Sequence, residues 1–205
     1  MSNHIATEYN VDNVYKTFSN VIDKSDMKSL HLHQFIIAFQ ELFFNHLNVV
    51  FSFVAHDLAD KYYIIQNLCK TNPIDYRTVQ TMIEYEKCRD DKTGTIALLR
   101  LLRALEFIYL FLEQAVMSPN CSSTTKQVAW DIYKQTLHKR HNKAVRLTIW
   151  FATATVPKRE VLKETLLHGE IEPNTADKCF PLIENIYRSI YKLYEENNIL
   201  ELVPL

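Results

Sequence analysis

The segment Thr95–Met117, TIALLRLLRALEFIYLFLEQAVM, is apolar on nearly every side when it is drawn as a helix. A helix of this kind lies either in the middle of a protein core or in a bilayer. A bilayer span needs about 20 residues with almost no charge. Charged side chains interrupt this run at Arg100, Arg103, Glu106 and Glu113. The segment therefore predicts a central buried helix around which the rest of the chain packs.

Two arginines on this helix require an explanation. Arg100 and Arg103 are three residues apart and so share one face. If they are buried, each guanidinium is unfavourable unless an anionic group meets it. Glu106 could pair with Arg103, but no acid inside the helix is three or four residues from Arg100. An acid on another helix, such as Asp57, could be the partner of Arg100.

The composition favours one intracellular helical domain. The chain has 205 residues, 47% of them hydrophobic, and only 2 glycines and 6 prolines, which suits helices. A net charge of −1 gives no support to a nucleic-acid partner. The 4 cysteines are widely spaced, so we expect free thiols and neither disulfides nor a zinc site. The first residues show no apolar signal segment, which favours a cytoplasmic location.

Apolar residues at helical spacing predict about eight or nine helices and no strand. We treat residues 1–205 as a single all-α domain. The expected helices are Val11–Ile22, Leu30–Phe44, Val49–Leu68, Tyr76–Asp90, Thr95–Met117, Thr125–Leu137, Ala144–Thr155, Pro157–Leu167 and Ala176–Asn197. We expect a break at Asn45–Asn48 and a C-terminal tail, Leu200–Leu205, that packs back on the core.

No common catalytic motif is present. The sequence has no glycine-rich phosphate loop, no G-x-S-x-G and no H-E-x-x-H. Asp57 and Lys61 are four residues apart, and taken alone they are typical of a surface ion pair. His141 lies in a basic bend, where the ordinary interpretation is a solvated residue at the start of a helix.

Four segments give a more specific indication. They are VFSFVAHDLADK (Val50–Lys61), LLRLLRALEFI (Leu98–Ile108), LHKRHNKAVR (Leu137–Arg146) and VPKREV (Val156–Val161). In order and approximate spacing they resemble the glycolipid transfer protein superfamily. The resemblance implies a two-layer helical sandwich of about eight helices that encloses one sphingolipid in an apolar sleeve. It also implies a carrier without catalysis, metal or cofactor.

Two positions separate groups within the superfamily. Members that carry glycolipids have tryptophan at the position of Arg100 and asparagine at that of Lys61. This sequence is similar instead to the group that carries ceramide-1-phosphate. The resemblance therefore implies that Lys61, Arg100 and Arg103 hold a phosphate, since guanidinium binds phosphate bidentately. It implies that Asp57 and His141 bind the amide and hydroxyl of the sphingolipid.

The sequence departs from that group at two places. Ile96 stands where an arginine usually provides a further phosphate contact. Asn142 and Lys143 stand where Pro-Trp usually follows the histidine and the tryptophan enters the membrane surface.

The acyl chains would need apolar walls. The residues that we expect to supply them are Phe35, Phe39, Phe43, Val54, Leu102, Phe107 and Phe151, although ordinary core positions are an alternative for each. A basic patch near His141 could dock transiently on an anionic membrane surface. It consists of Lys139, Arg140, Lys143 and Arg146, and the alternative is a solvated helix start.

The sequence thus predicts a monomeric, non-vesicular carrier that moves ceramide-1-phosphate or a related phosphosphingolipid between membranes. One alternative is a glycolipid carrier, for which tryptophan would be expected at the position of Arg100. A sphingolipid-sensing module that signals through a partner is another, and a transfer assay separates it from a carrier. An enzyme or a ligand-free helical scaffold are the remaining alternatives.

Overall fold

The computed structural model describes residues 10–26, 28–47, 52–118, 122–167 and 174–202. Within these ranges the secondary structure is helical, apart from isolated β-bridges that join Ile22 to Leu30 and His31 to Thr78. The α-helices there are α1 (Val11–Ser19), α2 (Leu32–Phe39), α3 (Ser52–Thr71), α4 (Val79–Lys87), α5 (Thr93–Leu112), α6 (Thr125–Thr136), α7 (Lys143–Ala152), α8 (Arg159–Leu167) and α9 (Thr175–Glu196). The predicted all-α fold is confirmed.

Helix α5 is the centre of the fold, as its sequence predicts. It contacts α3, α4, α6 and α9, and most of its apolar side chains are buried. A π-helical segment, Glu113–Met117, continues it to the end of the predicted range. Among the described helices, including α5, none is long and apolar enough to cross a membrane.

The start of α5 is fixed by a buried carboxylate. Glu86, 2% exposed, accepts hydrogen bonds from the backbone N–H groups of Gly94 (2.9 Å) and Thr95 (2.7 Å). The Tyr76 hydroxyl also donates to it, at 2.8 Å. The first N–H groups of a helix have no partner within the helix, and the helix dipole favours an anion there. Glu86 therefore accepts the hydrogen bonds that the first N–H groups of α5 cannot make within the helix. The helix begins at Thr93 rather than at the predicted Thr95.

We predict that Gly94→Ala destabilises the protein. A Cβ atom at this position would lie 2.6 Å from Glu86 Oε1 and 2.9 Å from Tyr76 Cε1, so the buried cap would have to move. Such overpacking costs about 1–3 kcal/mol, which in a domain of this size lowers the melting temperature by about 2–4 °C per kcal/mol. Thermal unfolding measures the effect. Helix propensity alone predicts the opposite sign, since alanine is favoured over glycine by about 1 kcal/mol, and a variant more stable than the wild type would contradict this account.

Several predicted boundaries shift, each for a local reason. A π-helical segment, Gln40–Leu47, continues α2 through the first three residues of the break expected at Asn45–Asn48. Burial of Leu47, which is 1% exposed, outweighs the poor helix propensity of its neighbours. Residues 48–51 are outside the described ranges.

Helix α1 ends at Ser19 rather than Ile22, because Ile22 pairs with Leu30 in a bridge. Helix α4 begins at Val79 rather than Tyr76, because the Thr78 hydroxyl caps it by accepting from the N–H of Thr81 at 3.1 Å.

The described part of the C-terminal tail packs back as predicted. Ile199 and Leu200 lie against the core. The carbonyl oxygen of Leu200 accepts a hydrogen bond of 2.7 Å from Arg103 Nη2. Residues 203–205 lie outside the described ranges. This contact brings the tail to the face of α5 that carries the two arginines.

Candidate functional site

Two packed helices and one turn position the predicted polar residues. Asp57 and Lys61 lie on α3, which packs against α5, the helix of Arg100 and Arg103. His141 follows a 3-10 turn, His138–Arg140, and precedes α7. Lys61 Nζ is 3.1 Å from Asp57 Oδ1, and the two side chains are 19% and 54% exposed, respectively. The predicted ion pair is therefore present, with its carboxylate open to solvent.

The charges of Asp57 and Arg100 both affect the pKa of His141. Burial is the main cause that lowers the pKa of its imidazole. The carboxylate of Asp57 opposes this effect, while Arg100, Arg146 and His138 lower the pKa further. His141 is therefore neutral at pH 7, and it lies close enough to Asp57 and Arg100 for their charges to affect its pKa.

A tyrosine that the sequence did not single out orients this histidine. The Tyr133 Oη atom is 3.1 Å from His141 Nδ1, and the two rings stack with centroids 5.8 Å apart. Burial raises the pKa of Tyr133, although Arg146 opposes this, so the hydroxyl keeps its proton at neutral pH. Tyr133 lies on α6, eight residues before His141, and no spacing motif links the two positions.

Arg103 sits in a cationic cluster. Its pKa falls to about 10, first because of burial and then because Arg140 lies nearby; Glu201 raises the pKa and Arg100 lowers it further. The side chain stays charged at neutral pH. The positive charges of Arg140 and Arg100 disfavour the charged form of Arg103, and an anion placed among these groups would offset that effect.

Two expectations about the central helix are not met. Arg100 is exposed rather than buried, because the neighbouring helices leave this part of α5 accessible to water. Arg100 therefore poses no buried-charge problem and does not need an internal acid. Glu106 accepts a hydrogen bond from Tyr187, while Arg103 donates to the Leu200 carbonyl.

Most of the predicted apolar walls lie in one core cluster. Phe35, Phe39, Phe43 and Leu102 are 0% exposed and Phe107 is 7% exposed, whereas Val54 is partly buried against the cluster. The Phe39 and Phe43 rings stack at 5.8 Å.

Phe151 must be removed from the set of predicted walls. It is 66% exposed, because this face of α7 points away from the core. The role of the other residues as walls of a sleeve stays a prediction.

Two further observations on the described residues concern metal binding and the cysteines. In that part of the chain no group of three or more His, Cys, Asp or Glu side chains could hold a metal ion. Cys69, Cys88 and Cys179 are free thiols, as predicted. Burial raises the pKa of Cys69 to about 11 and of Cys179 to about 12, which keeps both thiols protonated and unreactive.

Comparison with known proteins identifies the family. The family model described as "Glycolipid transfer protein (GLTP)" matches residues 30–168. The chain belongs to the glycolipid transfer protein family, as the four sequence segments predict.

Relatives within this family carry the name ceramide-1-phosphate transfer protein. The protein of that name from Danio rerio is 32% identical over 213 residues, which cover 97% of this chain and 100% of the relative. The one from Homo sapiens is 30% identical over 212 residues, covering 96% and 97% of the two chains. The human crystal structure with 2:0 ceramide-1-phosphate superimposes with a TM-score of 0.82 at 29% identity, covering 95% of this chain and 99% of that one. The predicted fold is confirmed.

Proposed function

We propose that this chain transfers ceramide-1-phosphate between membranes without catalysing a reaction. The observation that carries the proposal is the arrangement of Arg100, Arg103 and Lys61 beside Asp57 and His141. This arrangement offers hydrogen-bond donors for a phosphate and hydrogen-bond partners for an amide at one site. Relatives that cover nearly the whole chain are named for this lipid. We treat residues 1–205 as a single domain that acts as a monomer in the cytoplasm.

The cations recognise the phosphate. The guanidinium groups of Arg100 and Arg103 present paired N–H donors that match phosphate oxygens. Lys61 adds a point charge and is held toward the site by its 3.1 Å contact with Asp57. A phosphate monoester carries about −1.5 to −2 charges at neutral pH, and this charge relieves the repulsion that lowers the pKa of Arg103. A neutral sugar offers no such relief.

Asp57 and His141 recognise the ceramide. An ionised aspartate only accepts hydrogen bonds, so Asp57 receives the amide N–H and the hydroxyl of the sphingoid base. A glycerolipid has ester linkages and offers no N–H there. We assign the Tyr133 hydroxyl as the donor in its 3.1 Å contact with Nδ1 of neutral His141, an assignment that places the imidazole proton on Nε2. That N–H then donates to the amide carbonyl oxygen.

Selectivity comes from this polar site rather than from the apolar core. Burying a methylene from water gains about 0.8 kcal/mol, but the acyl chains of a membrane lipid are already out of water. Moving them from a bilayer into a protein core is nearly neutral. The differential affinity between lipids must therefore come from the head group and the amide.

An exposed apolar face on α7 provides the membrane contact. Leu147 and Phe151 are 57% and 66% exposed, and Trp150 beside them is 41% exposed. The three residues lie at helical spacing on one face, and Lys143 lies one turn before Leu147. Apolar side chains flanked by lysine are typical of surfaces that bind anionic membranes. This face takes the place of the tryptophan that Lys143 replaces, and its helix, α7, begins two residues after His141.

We predict that the double variant Leu147→Ser, Phe151→Ser binds anionic vesicles roughly 10- to 30-fold more weakly, since two partly inserted side chains contribute about 1 kcal/mol each. Co-sedimentation with vesicles measures this. Binding of a water-soluble short-chain ceramide-1-phosphate should not change. Ile74→Ser is the matched control, because Ile74 is an 80% exposed apolar residue in the turn between α3 and α4. Equal losses in both proteins, or no loss in either, would contradict the assignment.

Transfer between vesicles tests the proposed function. Labelled ceramide-1-phosphate, glucosylceramide, sphingomyelin and phosphatidic acid are compared under identical conditions. We expect rapid movement of ceramide-1-phosphate and little movement of the other three. Equal movement of glucosylceramide would support a glycolipid carrier instead. Binding of ceramide-1-phosphate without any transfer would support a lipid sensor, and a change in lipid mass over time would reveal an enzyme.

A further inference from the structure

A third arginine, Arg140, lies near Arg103 of the central helix. Arg140 ends the 3-10 turn directly before His141, and its backbone N–H donates to the Leu137 carbonyl at 2.9 Å, which fixes that turn. Its side chain is 25% exposed. After burial, Arg140 has the largest effect on the pKa of Arg103, ahead of Glu201 and Arg100. Its charge therefore faces the same site as theirs.

Within the described part of the chain, Arg140 meets the carboxylate of Glu201, and this contact is loose. Its Nη2 atom is 3.9 Å from Glu201 Oε1, and the Glu201 side chain is 79% exposed. A charge-assisted hydrogen bond is about 2.7–2.9 Å long, so this pair is held by charge and not by a formed hydrogen bond. The preceding residue, Leu200, is tied to Arg103 by the 2.7 Å bond to its carbonyl. The tail thus holds one carboxylate at the edge of the cationic cluster.

The family resemblance implies one further cation on the central helix, which this sequence does not supply. The residue one turn before Arg100 is Ile96, a partly buried side chain packed on the core. Arg140 approaches from a different element, the turn that also carries His141. A guanidinium on this turn can reach a phosphate held between Arg100 and Arg103 without any contribution from position 96.

We infer that Arg140 is a third phosphate-binding arginine of this site, and that Glu201 is the counter-ion that the lipid phosphate displaces. This inference rests on the proposed function. In the empty protein, Glu201 partly neutralises Arg140. When ceramide-1-phosphate binds, the phosphate takes over Arg140, and the Glu201 carboxylate returns to water.

The exchange is favourable because the two anions differ in strength. An exposed ion pair such as Arg140–Glu201 contributes little to stability. A phosphate monoester has nearly twice the charge and three acceptor oxygens that match a guanidinium. A ceramide without phosphate gains nothing from Arg140, so Arg140 determines head-group specificity and leaves recognition of the amide unchanged.

The test measures binding without membranes, which removes any contribution of Arg140 to vesicle binding. Short-chain ceramide-1-phosphate and the corresponding short-chain ceramide are titrated into wild type, Arg140→Gln, Arg140→Lys and Glu201→Gln. Lys139→Gln is the matched control, because it removes the same charge from the neighbouring, exposed position of the same turn. Circular dichroism and thermal unfolding report whether each variant is folded.

We expect Arg140→Gln to weaken binding of ceramide-1-phosphate by roughly tenfold or more, with partial recovery in Arg140→Lys. Binding of ceramide should be unchanged. Glu201→Gln removes the competing carboxylate and should tighten ceramide-1-phosphate binding about two- to fivefold.

An effect of Arg140→Gln no larger than that of Lys139→Gln, or an equal loss of ceramide binding, would overturn the role of Arg140. Unchanged or weaker binding in Glu201→Gln would overturn the displacement, and this variant alters only an exposed side chain. If the wild type binds ceramide but shows no preference for its phosphate, the proposed function itself fails and the inference fails with it.

Discussion

Replacing Arg100 with leucine is expected to slow transfer of ceramide-1-phosphate by about 100-fold, which corresponds to about 2.7 kcal/mol. Hydrogen bonds to a charged partner contribute about 1.5–3 kcal/mol, and a bidentate guanidinium–phosphate pair lies at the upper end of this range. Arg100 is exposed. Its removal should therefore change stability by no more than about 0.5 kcal/mol.

The initial rate of transfer between vesicles measures this effect, and thermal unfolding confirms that the variant is folded. Arg77→Leu is the matched control, because Arg77 is also an exposed arginine. It lies beyond the C-terminal end of α3, whereas Asp57 and Lys61 lie near the start of that helix. A loss of transfer that is equal in both variants, or absent in Arg100→Leu, would remove Arg100 from the site.

Asp57→Asn is expected to slow transfer of ceramide-1-phosphate by roughly 30-fold, or about 2 kcal/mol. An asparagine side chain is neutral and carries an NH₂ donor in place of one carboxylate oxygen, so its hydrogen bonds to the amide N–H and the hydroxyl are weaker and one of its two polar atoms can no longer accept. It also releases Lys61 from its 3.1 Å ion pair. Because Asp57 is 54% exposed and such pairs contribute about 0.3–0.5 kcal/mol, the variant should fold normally.

A more specific test of Asp57 is the ratio of the transfer rates of ceramide-1-phosphate and phosphatidic acid. Ceramide-1-phosphate and phosphatidic acid share a phosphate, and only the first has an amide N–H. We expect the preference for ceramide-1-phosphate to shrink in Asp57→Asn and to persist in the control Asp60→Asn, which changes an exposed aspartate three residues along the same helix. Equal losses for both lipids would show that Asp57 supports the site without reading the amide.

The local pattern of apolar and charged residues was enough to predict the central helix and the ion pair of the candidate site. An apolar run as long as Thr95–Met117, interrupted by four charged residues, favours burial in a core over a bilayer span, and this places α5 at the centre. The spacing of Asp57 and Lys61 on one helix face predicts their ion pair. Family resemblance added the position of His141 beside them, which no single-sequence pattern could supply.

Other features depend on packing between segments that are distant in the chain. Local sequence patterns do not predict such packing. The exposure of Arg100 depends on which neighbouring helices leave that part of α5 open to water. The continuation of α2 to Leu47 depends on burial of one leucine, against the propensity of its neighbours. The exposed position of Phe151 reflects the orientation of α7, and its apolar character alone suggested a place in the core.

The residues that the sequence analysis did not assign to the site come from elements that are distant in the chain. Tyr133 arrives from α6, and the Leu200 carbonyl arrives from the tail. Arg140 was recognised only as part of a basic surface patch, because its proximity to Arg103 exists only after the turn before α7 packs near α5. No spacing between these positions in the chain signals that they meet.

The most direct test of the central claim is a crystal structure of this protein with short-chain ceramide-1-phosphate bound. We expect phosphate oxygens within about 3 Å of the guanidinium nitrogens of Arg100 and Arg103, and the amide nitrogen at a similar distance from an Asp57 carboxylate oxygen. A lipid whose phosphate lies away from these arginines, or whose amide contacts a group other than Asp57, would contradict the claim that one site recognises both parts of the lipid.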